Sequence, residues 1–202
     1  MEMKVGTLER IDDVVKRIKR YKPVFNASGG GLTLSGGEAL FQIAFTRRLL
    51  KEVHDAGIHT TIDTSGYLGS RVRDEDMDNI DLVLLDVKAG DEETYKEVTR
   101  RELQPTIDFG DRLNEIGKPV WIRFVVVPGL TDAPENVANV VKIVSRWKSN
   151  VERVEVLPFH NMGADKWREL GYPYTLEDTK PPKPEDVESI RDAFREEGFV
   201  VY

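Results

Sequence analysis

Apolar residues follow two alternating rhythms along this chain. Over residues 7–21 they fall at Leu8, Ile11, Val14, Val15 and Ile18, the spacing of one helix face, with Thr7 placed as N-cap. Residues 38–56 repeat that rhythm through Leu40, Phe41, Ile43, Ala44, Phe45, Leu49, Leu50 and Val53, and Gly57 ends the helix. Between such stretches the period collapses into short β-branched or aliphatic runs at 31–34, 59–63, 82–87, 120–127 and 154–158. Those runs are too uniformly apolar for one-sided strands and predict parallel strands buried on both faces. Further helical stretches are expected at 74–79, 94–98, 106–116, 134–147 and 183–197, and the terminal Phe-Val-Val-Tyr reads as a short edge strand. Regular alternation of strand and helix predicts βαβ units around a parallel sheet.

Composition changes that picture little. The 202 residues suffice for one domain with a full core over 1–202, and neither a linker nor an internal repeat divides them. No apolar run approaches the roughly 18 residues of a membrane span, and the acidic start has no apolar segment of a secretion signal, so a cytoplasmic protein without a membrane partner is expected. A net charge of −7 without a basic stripe argues against nucleic acid. Cysteine is absent, which excludes disulfides, thiol nucleophiles and thiolate-held metal from these residues. The three histidines, His54, His59 and His160, lack His-x-x-His spacing, so zinc is not expected either.

In parallel α/β folds the functional groups collect at the carboxyl ends of the strands. Here those ends carry Ser35-Gly36-Gly37-Glu38, then Asp63-Thr64-Ser65 and Asp86-Val87-Lys88, with Arg123 inside the next run and His160-Asn161 after the last. Two glycines allow close backbone approach to a ligand, and Glu38 is expected to open the following helix near its positive end. A zwitterionic amino acid group suits such a turn, although a plain glycine turn between strand and helix is the commoner meaning of so short a motif. The preceding Ser-Gly-Gly-Gly lacks a following Gly-Lys-Ser/Thr, which argues against a nucleoside triphosphate. Asp63 and Asp86 end neighbouring strands and could converge on a cation, or could simply cap loops. Arg123 lies in an apolar run and must face a carboxylate or an anionic ligand. Trp121, Trp147 and Trp167 are read as packing residues; His54 and His59 as structural or solvated.

The segments NASGGGLTLSGGEAL, IHTTIDTSGY, DLVLLDVK, KPVWIRFVVVPGLTD and VERVEVLPFHNMGADKW, in this order, resemble the glycyl-radical activating enzymes of the radical S-adenosylmethionine superfamily. The resemblance runs from about Val5 to the C-terminus. It implies an open partial (β/α) barrel of the radical S-adenosylmethionine type, here with about five parallel βα units and the first of the usual six strands missing. Missing with that strand is the family's Cys-x3-Cys-x2-Cys loop, whose thiolates hold a [4Fe–4S] cluster. It further implies that Ser35, Gly36, Gly37, Glu38, Lys88 and His160 border S-adenosylmethionine, with Arg123 in the catalytic pocket. Asp63, Thr64, Asp86 and the carbonyl of Leu84 would hold a monovalent cation.

The implied reaction is reductive cleavage of S-adenosylmethionine to a 5′-deoxyadenosyl radical that takes a hydrogen atom from a backbone glycine of a glycyl-radical enzyme. Through the same resemblance, the segments after Pro128 and His160 imply pyruvate formate-lyase as that partner. Without cluster ligands these residues are expected to be inactive in radical chemistry alone. That leaves two other readings, a non-catalytic protein that binds S-adenosylmethionine or docks the partner, and a fragment of a full activating enzyme. A metal-dependent aldolase or hydrolase using Asp63 and Asp86 is the outside alternative. With its covering strand missing, the strand at 31–34 is expected to be a sheet edge that exposes Leu32 and Leu34 and invites self-association.

Overall fold

A computed structural model describes residues 7–202. Its elements run α1 (Ile11–Arg20), α2 (Lys22–Ser28), β1 (Gly31–Leu34), α3 (Ile43–His54), β2 (His59–Thr64), α4 (Asp74–Met77), β3 (Leu82–Asp86), α5 (Glu92–Thr99), α6 (Gln104–Glu115), β4 (Val120–Val126), α7 (Pro134–Ser145), β5 (Val151–Pro158), α8 (Ala164–Glu169) and α9 (Pro184–Glu196). The five strands form one parallel sheet in chain order, β1-β2-β3-β4-β5, which does not close. At the far side of β5, Val201 bridges Val154, and Tyr202 N–H donates to the Val154 carbonyl at 3.0 Å. The expected terminal edge strand is therefore present, reduced to its shortest form.

Burial departs from the expectation of strands covered on both faces. Along β4, Val120, Ile122, Phe124 and Val126 are buried while Trp121, Arg123 and Val125 are only half-buried. The buried set joins Ile62, Val83, Leu85, Val154 and Val156 from the other strands with Tyr95, Leu113, Val140, Val144, Trp147 and Phe194 from the helices. An open sheet has nothing to fill its concave side, so that side carries the polar and amphipathic residues.

Four sequence expectations shift. α1 begins at Ile11, capped by the extended backbone of Arg10, and Thr7 stands outside it. Leu8 is 99% exposed and makes no contribution to the apolar stripe, so the helix starts where packing against α3 starts. The chain turns at Tyr21 and resumes as α2 with Pro23 in its first turn, an element the periodicity does not reveal. α3 begins at Ile43 and not at residue 38, because Glu38 turns its carboxylate across to β2. Of the three tryptophans only Trp147 is core; Trp121 is half-buried on the concave face, and Trp167 is 46% exposed against Tyr172 and Tyr174.

The outward edge of β1 has no paired strand among the described residues. Leu32 and Leu34 nevertheless do not meet water freely. They pack, half-buried, against a second apolar cluster built from Ile11, Val14, Val15 and Ile18 of α1 with Leu49 and Val53 of α3. Helix α1 folds back over this end of the sheet and covers its side chains, leaving the backbone edge as the exposed feature.

Two local arrangements generate measurable expectations. Gly110 lies in α6, where Ala would normally gain about 1 kcal/mol of helix propensity. A Cβ there would overlap the Trp147 indole, itself fixed by an Nε1–H bond to Asp111 at 2.7 Å. Gly110→Ala is expected to reverse the usual sign and lower stability by about 1–3 kcal/mol in urea unfolding; a stabilised variant would show that the indole moves freely. Asp76 is buried and accepts from Arg47 Nε at 2.6 Å, from the Arg73 backbone at 2.9 Å and from Arg73 Nη2 at 3.0 Å. Burial pushes its pKa upward, but the hydrogen bonds from Arg73 and Arg47 outweigh it, and the carboxyl sits below its ordinary value. A depressed carboxylate pKa contributes stability above the unfolded value near 4 and loses it as pH falls through the folded value. Asp76→Asn is expected to cost about 1–3 kcal/mol at pH 7, with the difference from the parent vanishing in strong acid. A gap that persists at the acidic end would assign the loss to packing.

Candidate functional site

The turn after β1 sets the geometry. Gly36 has φ +146°, a conformation that strains any residue with a Cβ. A Cβ built on Gly36 or Gly37 would meet no atom of the chain within 4 Å, so the space above the turn is open to a ligand. Glu38 follows and is fully committed. Its Oε1 accepts from Thr64 Oγ1 at 2.6 Å and Leu40 N–H at 3.0 Å, and its Oε2 from Ser65 Oγ at 2.8 Å and Ser65 N–H at 3.1 Å. Glu38 is therefore a latch between the exits of β1 and β2, not a residue at a helix N-terminus.

Beneath that latch runs a buried relay. Ser65 offers its carbonyl to Thr106 Oγ1 at 2.8 Å, and Thr106 shares a 2.7 Å hydrogen bond with the Tyr95 hydroxyl. Tyr95 has no exposed surface; burial raises its pKa, opposed by the bond to Thr106. The phenol stays protonated and acts as a fixed link between α5, α6 and the exit of β2.

A row of charges crosses the concave face. Asp63 Oδ2 accepts from Ser35 Oγ at 3.0 Å and from Arg123 Nη1 at 2.9 Å. Arg123 stands opposite Asp86 in the β3–β4 register, while Asp63 stands opposite Leu84 in the β2–β3 register, so the guanidinium reaches over β3 to touch β2. Its Nε lies 3.6 Å from Glu155, buried and without a hydrogen bond. Glu155 in turn pairs with Arg153 at 2.6 Å, and Arg153 stacks 3.3 Å from the Trp121 ring centroid. Asp86 is held separately by Lys88 at 2.8 Å.

Of the residues expected at the site, the structure joins Ser35, Asp63 and Arg123 directly, joins Glu38 to Thr64, and joins Asp86 to Lys88. Leu84 lies between Asp63 and Trp121 in register. His160 stands apart on an exposed loop after β5, in extended conformation, and no hydrogen bond ties it to the others. The expectation that Arg123 faces a carboxylate is met by Asp63. Each of the two aspartates faces a protein cation, and no group of three or more His, Cys, Asp or Glu suited to a metal occurs among the described residues. His54 lies 3.4 Å from Asp81, a contact away from the strand ends. Glu155 and Arg153 are members of the row that the sequence reading does not single out. Alternation of charged with apolar residues in VERVEVLP and VWIRFVVV is the available signal, because it marks the strand face that is not core.

The radical SAM superfamily model matches residues 2–141. The pyruvate formate-lyase-activating enzyme of Staphylococcus epidermidis is 40% identical over 195 residues, 94% of this chain and 76% of that protein, and its Staphylococcus aureus counterpart is 36% identical over the same shares. Among solved structures, a domain of a pyruvate-formate lyase-activating enzyme from Bacteroides vulgatus superposes with a TM-score of 0.69 at 22% identity, covering 86% of this chain and 98% of that one. Streptococcus suis SuiB bound to S-adenosylmethionine superposes with a TM-score of 0.66 at 18% identity, covering 96% of this chain and 41% of that one. Both share the open barrel fold. The chain belongs to the pyruvate formate-lyase-activating enzymes of the radical S-adenosylmethionine superfamily.

Proposed function

We propose that these residues form the S-adenosylmethionine-binding part of a cytoplasmic activating enzyme whose partner is pyruvate formate-lyase. The observation that carries this reading is the charge row across the strand ends beside an open diglycine turn. A methionyl ammonium suits the carbonyls of Ser35, Gly36 and Gly37, while its carboxylate suits the ammonium of Lys88. Glu38 supports the turn and does not itself reach the ligand, since both oxygens are used by Leu40, Thr64 and Ser65. His160, exposed on the loop after β5, is read as bordering the adenosyl group. When bound, S-adenosylmethionine supplies the 5′-deoxyadenosyl group for hydrogen abstraction; the chain's own part is to orient it.

A monovalent cation at Asp63, Thr64, Asp86 and the Leu84 carbonyl would use the Oδ1 atoms, because Arg123 and Lys88 hold only Oδ2 of each aspartate. The [4Fe–4S] cluster is a different case. The 202 residues hold no thiolate donor, and the donor set at the strand ends is hard oxygen and nitrogen, which does not fit iron–sulfur ligation. On this reading these residues bind S-adenosylmethionine and do not themselves supply ligands to a cluster. The aldolase or hydrolase alternative finds no group of three or more metal-ligating side chains among the described residues.

Calorimetric titration is expected to show S-adenosylmethionine binding that is weak, for want of the iron contact, and that disappears when Asp63→Ala is combined with Glu38→Ala. Equal heats from parent and variant would show that neither Asp63 nor the turn latched by Glu38 takes part in binding. Anaerobic reconstitution of this chain with iron and sulfide is expected to leave no stoichiometric iron and no broad cluster absorbance; a reconstituted cluster would sink the assignment of its ligands elsewhere.

A further inference from the structure

Beside the diglycine turn lies an open cleft of about 490 Å³. Gly37, Glu38 and Ser65 form its inner wall, and the side chains of Phe41, Tyr67, Arg71 and Arg101 line the rest. Phe41 is 72% exposed, unusual for a phenyl ring so close to a site. Neither arginine pairs with a carboxylate among the described residues. Arg71 leans on the Phe41 carbonyl at 3.5 Å, and Arg101 stacks 5.4 Å over the Tyr67 ring. The only acidic group lining the cleft, Glu38, is already saturated by hydrogen bonds. A protein of net charge −7 thus presents here two uncompensated guanidiniums around an exposed aromatic surface.

We propose that this cleft docks an acidic segment of the glycyl-radical enzyme, with a carboxylate between Arg71 and Arg101 and an apolar side chain against Phe41. The proposal rests on the reading that pyruvate formate-lyase is the partner. Its geometric basis is adjacency. A partner that presents a backbone glycine to the strand ends must also cover the neighbouring surface, and the cleft shares Gly37, Glu38 and Ser65 with that face. Charge complementarity sets the chemistry of the occupant, since Arg and aromatic residues are the groups that dominate binding at protein interfaces. Rim charges of this kind act on encounter rate and partner choice more than on the ligand pocket.

The test measures binding of purified pyruvate formate-lyase and of S-adenosylmethionine to the same proteins. Arg71→Glu with Arg101→Glu is expected to weaken pyruvate formate-lyase about tenfold or more, Phe41→Ala severalfold, and the parent's affinity is expected to fall with added salt. S-adenosylmethionine binding and the thermal midpoint are expected to stay unchanged, because all three side chains are exposed. A control reversal on α1, Lys16→Glu with Lys19→Glu, is expected to change nothing. Parental affinity in the Arg71 and Arg101 variant overturns the docking site, as does an equal loss in the α1 control, which would mark a general charge effect. A parent that binds S-adenosylmethionine but no pyruvate formate-lyase overturns the partner reading and this proposal with it.

Discussion

Five parallel strands that do not close into a barrel must hide one face and leave the other wet. Everything functional in this protein follows from that division. The helix side collects the aliphatic and aromatic residues of the strands into a single cluster with Tyr95, Trp147 and Phe194. Each fully buried side chain of that size contributes about 1.5–3 kcal/mol, so the outer face supplies the stability. The concave face is thereby free to hold Asp63, Arg123, Glu155 and Arg153, groups that a packed core would reject.

Those charges are tolerated only because they neutralise one another. Ser35, Asp63, Arg123, Glu155 and Arg153 form a continuous row, its charges alternating in sign, from the exit of β1 to β5. The row is half-buried, where an unpaired charge costs several kcal/mol and a pair returns little net stability. Its value lies in position. Arg123 spans β3 to reach Asp63, which fixes a guanidinium above the strand ends with one donor still unsatisfied.

Much of this architecture is legible in the sequence. Helical periodicity and β-branched runs locate the five strands and most of the helices between them, and the polar residues at strand ends pick out Ser35, Asp63, Asp86 and Arg123. Where the sequence misleads, the causes are physical. Uniformly apolar runs suggest two buried faces, but Trp121 and Val125 are half-buried residues on a concave surface that lacks a filling. The period extends α3 back to Glu38 because Leu40 and Phe41 fit it, whereas Leu40 is buried from a turn and Phe41 points to solvent. Glu155 and Arg153 escape a linear reading because a charge inside a strand acquires meaning only from the register that sets it beside Arg123 and Trp121.

Glu38 shows how a short motif can carry a role different from the one its chemistry first suggests. A carboxylate after two glycines looks like a ligand group, yet it commits four hydrogen bonds to Leu40, Thr64 and Ser65. Through Ser65 the latch continues to Thr106 and the buried Tyr95, so the diglycine turn is tied to helices α5 and α6 by polar contacts that end in the core. A fully satisfied chain of this kind resists small displacements, since releasing any member strands another. The open space above Gly36 and Gly37 and the cleft between Phe41 and Tyr67 therefore share one rigid wall. The diglycine turn and the inner wall of that cleft are thus held in place by the same carboxylate.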